Sequence, residues 1–556
     1  MNRTASVFPL RDSQAGKQID TRPLQVEEWL DSLPYADFHK TAWMLMEATK
    51  LTNQQTLKPS VRQELTRLYH RPYQYYLHTL LQSGTQHTRQ SIEAVQGQIY
   101  PLKQIAVNLG HACKIALAEE LERKTLWGQS RMPLLLLLME LHYISEAMLF
   151  GFLEYAPTPK GAWKEINFIY RLAERLGNVN TPAIPFGSNK KEDATTIADG
   201  FKRIALASLV DPHHLPFGAV WEIYSQLCDW APTTEITPYQ QFSGRPGLFI
   251  IDLDSDIRPT PSASAESDKP HEHLRMFETT ALGVLIRDQM RSLQAGAPST
   301  SSMRLSPHHA KSILLDMSRA YGLPSKRYFP RSERSGRFKL VFGLDAIHYH
   351  LNDKRDFVVP GSGTTESILV ESEESVPANR EGNTFACEEW ELVNEGIGGY
   401  SVTRDAKNGN TVHVGGLLGV SRNSDIPTWE LGMVRWVVIR PNRILKIGIQ
   451  KIASQLQPAA IRAIGGTHIE RSYRRALIKG NPDESPEYSV VAEKGLFLDN
   501  RELELCIDGH LFIVYSVTLI AELIGYEYFS IKSPAATLPC YQMNAPSRAV
   551  PEPRDA

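Results

Sequence analysis

The apolar residues of this chain change period along its length, and that change limits most what the chain can fold into. Between 25 and 230 they recur three and four apart, as in VEEWLDSL, FHKTAWMLMEATKLT, VRQELTRLYHRPYQYYLHTLLQ and KGAWKEINFIYRLAERLG. That spacing lines one side of an α-helix. From 337 onward the period shortens towards two, in RFKLVFGLDAIHYHL, WELVNEGIGGYSV, TVHVGGLLGVS, TWELGMVRWVVI and ILKIGIQKIA. Alternation sends successive side chains to opposite faces of a strand. A chain with both patterns needs separate cores of different kinds. The expectation is an α+β multidomain protein: an N-terminal all-α helical stack, then a small antiparallel β-barrel, then a small C-terminal β-rich unit.

With 556 residues there is length for several cores. The pattern predicts a flexible tail over 1–22, a helical domain over 23–235 and a mixed linker domain over 236–324. That linker domain holds one strand, GLFIIDLDS, a polar Pro/Ser-rich stretch, and two helices over 275–295 and 306–321. The barrel follows over 325–457, with an acidic, Gly/Pro/Ser-marked insertion over 351–388, most simply a surface loop. The β-rich unit spans 458–535 and a polar tail 536–556. No repeat period is strong enough to name a solenoid, although stacked helices commonly present surfaces to partners.

Several function classes fall away. A formal net charge of −2 argues against a bulk DNA binder. Five scattered cysteines with no CxxC fit a reducing compartment. The N-terminus lacks the apolar core of a signal peptide. The most apolar run, PLLLLLMELHYISEAMLFGFL at 133–153, carries Glu140, His142 and Glu146, so it reads as a buried bundle helix and not a membrane span. These features together predict a cytoplasmic protein. No GxSxG, HExxH or Cys–His arrangement supports catalysis. His348 and His350, two apart on what reads as a strand, share a face there, but no third metal ligand accompanies them. The expectation is no catalytic residue and no metal.

The break in WELVNEGIGGYSV has two readings. Glycines supply a tight turn, or they let a ligand approach the backbone beside a polar Asn. Upstream, SKRYFPRSERSGRFKLVFG places Arg327 and Arg331 four apart in a segment interrupted by Pro330, where an ordinary helix face is disfavoured. An arginine can fork onto phosphate, bind guanine O6 and N7, and stack on a purine.

Residues 325–455 resemble a PilZ domain, a bacterial receptor module for cyclic di-GMP. That family pairs an RxxxR segment before the first strand with a [D/N]xSxxG turn after the second. Arg327 and Arg331 match the first motif; Asn394, Gly396 and Gly399 fall on the second, with Gly396 at its Ser position. The strands WELGMVRWVV and LKIGIQKI, and the helical start EEWLDSLPYAD, resemble a long PilZ branch linked to type IV pili and surface attachment. The resemblance implies a PilZ-like barrel, a nucleotide ligand, no enzymatic activity, and a protein partner met by the helical domain. It leaves a homo-oligomer open. The candidate ligand-binding residues are Arg327, Arg331, Arg334, Asn394, Gly396, Gly399 and Arg435. The alternative is a PilZ-like scaffold that no longer binds nucleotide and assembles a surface-appendage machine. The missing hydroxyl at Gly396 costs about 0.5–1.5 kcal/mol, so weaker binding is expected and not its loss.

Overall fold

The structure is a computed structural model. It describes residues 19–84, 89–122, 132–188, 190–240, 244–264, 271–294, 307–322, 332–333, 335–355, 385–406, 412–422, 428–440, 442–464, 472–480, 488–523 and 525–533. Chain contacts divide the molecule into two compact units, one holding 1–328 with 407–411 and 438–443, the other holding the rest.

The first unit opens with eight α-helices: α1 (Pro23–Asp31), α2 (Phe38–Gln54), α3 (Pro59–Gly84), α4 (Arg89–Glu122), α5 (Met132–Leu153), α6 (Ala162–Arg175), α7 (Ile197–Leu209) and α8 (Ala219–Trp230). Their limits follow local chemistry. Asp37 caps α2 by accepting a hydrogen bond from the Lys40 amide at 3.0 Å. Thr196 and Asp199 cap α7 reciprocally, the Asp199 amide donating to the Thr196 hydroxyl and that hydroxyl to the Asp199 carboxylate. The α6 helix stops at Gly177, which turns left-handed at φ 69° while the Asn178 amide bonds back to the Ala173 carbonyl.

The apolar α5 is the central helix. It is long and apolar enough to cross a membrane, yet 89% of its most apolar window is buried inside the protein. After α8 comes a four-stranded sheet in the order β1-β4-β2-β3, made by β1 (Glu235–Pro238), β2 (Leu248–Asp252), β3 (Thr260–Pro261) and β4 (Leu274–Glu278). Helices α9 (Thr280–Gln294) and α10 (Pro307–Tyr321) follow. The helix expected from 275 thus begins at Thr280. Leu274–Glu278 is instead a strand, sandwiched between β1 and β2, which buries Leu274 and Phe277.

The second unit contains β5 (Ser332–Glu333), β6 (Arg337–Phe342), α11 (Leu344–Leu351), β7 (Glu388–Gly396), β8 (Gly399–Asp405), β9 (Leu417–Arg422), β10 (Trp429–Ile439) and β11 (Ile444–Ala453). Their order is β5-β7-β6-β9-β10-β11-β8, and β8 also pairs with β7, so six strands close on themselves with β5 added outside. A second closed barrel follows, built from β12 (Leu456–Ala463), β13 (Arg474–Lys479), β14 (Tyr488–Glu493), β15 (Glu502–Ile507), β16 (His510–Glu522) and β17 (Tyr526–Lys532). Pairing of β15 with β12 seals it around Ile461, Val490, Leu505 and Phe529. Closure removes the exposed edges that short antiparallel strands otherwise present.

One expected strand is not there. AIHYHL alternates as a strand would, but Gly343, at φ 86°, breaks the chain after β6 and α11 begins. Leu344, Ile347 and His348 are three and four apart and all buried, and Leu344 and Ile347 join Trp429 and Leu431 of the first barrel to Leu456 and Leu477 of the second. Burying Leu344 and Ile347 contributes about 1.5–3 kcal/mol each. On a helix His348 and His350 no longer share a face, which removes the chelating pair. His348 is buried and its pKa is pushed down to about 4 by that burial and the Arg475 charge. The acidic insertion, including Glu371, Glu373 and Glu374, lies outside the described residues.

Candidate nucleotide site

The hairpin joining β7 to β8 gathers three of the candidate residues. Gly396 pairs with Gly399, so only Ile397 and Gly398 form the loop, and Ile397 is 79% exposed. A register shift between Leu392 and Asn394 inserts an extra residue into β7. Such a bulge twists the strand and re-aims the side chains beyond it. Asn394 then stands opposite Ser401. Its side-chain oxygen is buried and has no hydrogen-bond partner among the described residues; the Ser401 hydroxyl is in the same condition. A buried acceptor without a donor costs about 1–3 kcal/mol. The N–H groups of a guanine edge are donors of the right kind to relieve it.

The glycines do different jobs. A Cβ on Gly399 would run into the Ile449 carbonyl oxygen of β11, against which Gly399 lies in register with Gln450. Gly399 is therefore a packing requirement of the barrel. Gly396 has no positive φ, and nothing lies within 4 Å of the position a Cβ would take on Gly398. The close strand approach requires glycine at Gly399 alone; at Gly398 neither crowding nor a positive φ does, and the loop stays open on that side.

The arginine segment meets this hairpin through its backbone. Ser332 and Glu333, between Arg331 and Arg334, form β5 and pair with Glu395 and Asn394. Arg327, Arg331 and Arg334 themselves lie outside the described residues. Arg435 is exposed on β10 and makes no hydrogen bond or ion pair among the described residues, so nothing ties it to the hairpin.

Two cations not singled out from the sequence do reach the hairpin. Arg422, on β9, pairs with Glu395 at 2.5 Å and lies over the Phe338 ring at 5.7 Å. Lys451 sits 4.4 Å over the Tyr400 ring and 3.7 Å from Glu430, while its amide bonds to the Gly398 carbonyl. The Tyr400 hydroxyl donates to Glu430 at 2.6 Å, and burial followed by that carboxylate raises its pKa, so it stays protonated. By alternation Arg422 shares the face of the buried Leu418 and Val420, so the sequence marks it only as a cation at a strand end; only the barrel closure brings that end to the β7–β8 turn. At the far end of β7 and β8 a hollow of about 310 Å³ is lined by paired charges: Arg404 lies 3.2 Å from Glu388 and 4.7 Å over Trp390. No group of three or more metal-ligating side chains occurs among the described residues.

Comparison with known proteins identifies the domains. Residues 24–241 match the family model of the cyclic-di-GMP receptor FimW, N-terminal domain, and residues 248–367 and 359–458 match that of the FimW middle PilZ domain. The first barrel is therefore of the PilZ class. The chain as a whole belongs to the FimW family of cyclic-di-GMP receptors. It is 21% identical over 509 residues to the cyclic-di-GMP receptor FimW of Pseudomonas aeruginosa, covering 83% of this chain and 82% of that protein.

Proposed function

We propose that this chain is a non-enzymatic, cytoplasmic effector that binds cyclic di-GMP on the β7–β8 hairpin and acts through protein contacts of its helical unit. The observation that carries this reading is the pairing of Ser332–Glu333 with Asn394–Glu395, which sets the backbone of the arginine segment against the Asn–Gly turn. Arg327 and Arg331 supply the phosphate and guanine contacts, with Arg334 beside them. Asn394 accepts from a base edge, Gly396 leaves room for the ligand, and Arg435 contributes charge from β10. The output is control of surface attachment and of type IV pili, through a partner docked on the helices, and a homo-oligomer is compatible with it. A ligand changes such an output only by binding two arrangements of the protein unequally.

The test is calorimetric titration of the full chain with cyclic di-GMP. Charge-assisted hydrogen bonds contribute about 1.5–3 kcal/mol each, so Arg327→Ala and Arg331→Ala are each expected to weaken binding by at least about tenfold. Unchanged affinity in both variants moves the site elsewhere. No heat from the unmodified chain at high micromolar nucleotide favours the second reading, a scaffold that keeps the barrel and has lost the ligand; the absent hydroxyl at Gly396 is what speaks for it.

A further inference from the structure

The helical unit holds a cavity of about 610 Å³ between α3, α5, α7, α8 and the loop at 185–195. Its apolar wall includes Leu138, Leu141, Phe186 and Leu227. The flat rings of His70, His142 and Tyr224 also face it. Burial holds the two histidines neutral, at about 4 for His70 and about 3 for His142. Behind the wall, the buried Glu146 accepts from the Tyr73 hydroxyl at 2.7 Å and from Gln74 at 3.3 Å, with His142 Nε2 at 3.3 Å.

The lining charges are unevenly satisfied. Asp199 accepts from the Thr196 hydroxyl at 2.8 Å and from Lys202 at 3.3 Å, and Asp193 accepts from the Ser188 hydroxyl. Both acids are already held within the fold. Arg203 commits one nitrogen: its Nε donates to the Tyr224 carbonyl at 2.6 Å, and the guanidinium lies 3.8 Å over the Tyr224 ring. Its two terminal nitrogens make no hydrogen bond or ion pair among the described residues, and neither does Arg71, an exposed residue of α3 that also lines the cavity. The donors left open to the cavity are therefore the terminal nitrogens of Arg203, with Arg71 also in the lining, beside flat and apolar surface.

We propose that this cavity is a second ligand site, separate from the hairpin of the barrel, and that it takes a small organic anion with a flat apolar body. The body packs on Leu141, Phe186 and the His142 ring, and the anionic group accepts from Arg71 and Arg203. The inference does not depend on nucleotide binding at the barrel, and its failure leaves that reading untouched.

Two probes with the same aromatic body separate the parts of this claim: 8-anilinonaphthalene-1-sulfonate and neutral N-phenyl-1-naphthylamine, titrated by fluorescence into the full chain. The sulfonate is expected to bind at least about tenfold tighter than the neutral probe, the size of one or two charge-assisted hydrogen bonds. The double change Arg71→Gln and Arg203→Gln should close that gap. Cys228, which lines the cavity, is an internal reporter: the sulfonate should slow its alkylation by N-ethylmaleimide, read by peptide mass, while Cys387 in the other unit keeps its rate. Equal affinity for both probes, a gap that survives the double change, or an unprotected Cys228 overturns the assignment. If the double variant does not fold, Arg71→Gln alone decides, since Arg71 makes no hydrogen bond or ion pair among the described residues. Displacement of the sulfonate by guanosine monophosphate places the natural occupant among phosphate esters, and displacement by 2-naphthoate among carboxylic acids; displacement by neither overturns the proposal.

Discussion

The two units treat polar side chains in opposite ways. In the helical unit ionisable groups are sealed inside and bonded to one another. Arg62 is fully buried yet donates to the Gln55 carbonyl at 2.9 Å, and Glu140 and Glu146 are 2% and 3% exposed. In the barrel Asn394 stands half-buried at a turn beside the exposed Ile397, and Arg435 is open to solvent on β10. Burying a charge is costly unless partners compensate it. A helical bundle can supply such partners from several directions, whereas a short hairpin on a closed barrel can leave an acceptor waiting for a ligand. The lesson is that buried polarity in the first unit is mostly architecture, and partial exposure in the second is where binding is cheapest to arrange.

The largest effect expected from breaking this contrast is at a glycine that looks like part of the ligand turn. Gly399→Ala places a methyl group against the Ile449 carbonyl, where the nearest atoms are all backbone of Ile449 and Gln450 and no side chain is free to yield. Overpacking of this kind costs on the order of 3 kcal/mol. Hydrogen–deuterium exchange should accelerate in peptides from β8 and β11 and stay unchanged in α5. Unaltered exchange in β8 and β11 would show that the barrel can shift to admit the methyl, and Gly399 would return to the ligand's side of the account.

A pH-dependent effect tests the sealed interior. Burial first, then the neighbouring Glu165 to which it is hydrogen-bonded, raises the pKa of Glu140 well above its ordinary 4.5. The folded chain therefore keeps a proton that the unfolded chain releases above pH 4.5. Stability falls as pH rises from there towards the folded pKa, by up to about 1.4 kcal/mol per pH unit. Glu140→Gln keeps a donor for Glu165 and removes the titration. Protection of α5 and α6 amides in the variant should match the parent near pH 4.5 and exceed it at pH 8. A difference that does not grow with pH means that Glu140 is ionised in the fold.

The main divisions of the fold were legible because period separates helix from strand over long windows. The 344–351 segment was not, because six residues of AIHYHL satisfy both periods and only the left-handed Gly343 decides between them. The hairpin and its Asn–Gly pattern could be placed from turn chemistry. The bulge at 393 that turns Asn394, and the arrival of Arg422 and Lys451, could not, since both depend on which strands close the barrel. The cavity of the helical unit was equally hidden: Arg71 and Arg203 are 132 positions apart in sequence and line one cavity only once α3, α5, α7 and α8 are folded together.

The smallest effect is the sharpest test of the exposed side of the comparison. Gly396 closes the hairpin opposite Gly399 without a positive φ, so a side chain there meets no left-handed strain. Gly396→Ser restores a hydroxyl at the turn, worth about 0.5–1.5 kcal/mol if it meets the ligand. Cyclic di-GMP binding should tighten by a few-fold in calorimetry, with the melting temperature held or slightly raised, because a strand glycine loses more entropy on folding than serine does. Weaker binding at an unchanged melting temperature would mean that the ligand needs the bare backbone at 396, with Asn394 alone supplying the polar contact. Lower stability together with weaker binding would place Gly396 with Gly399, as a residue the barrel itself requires.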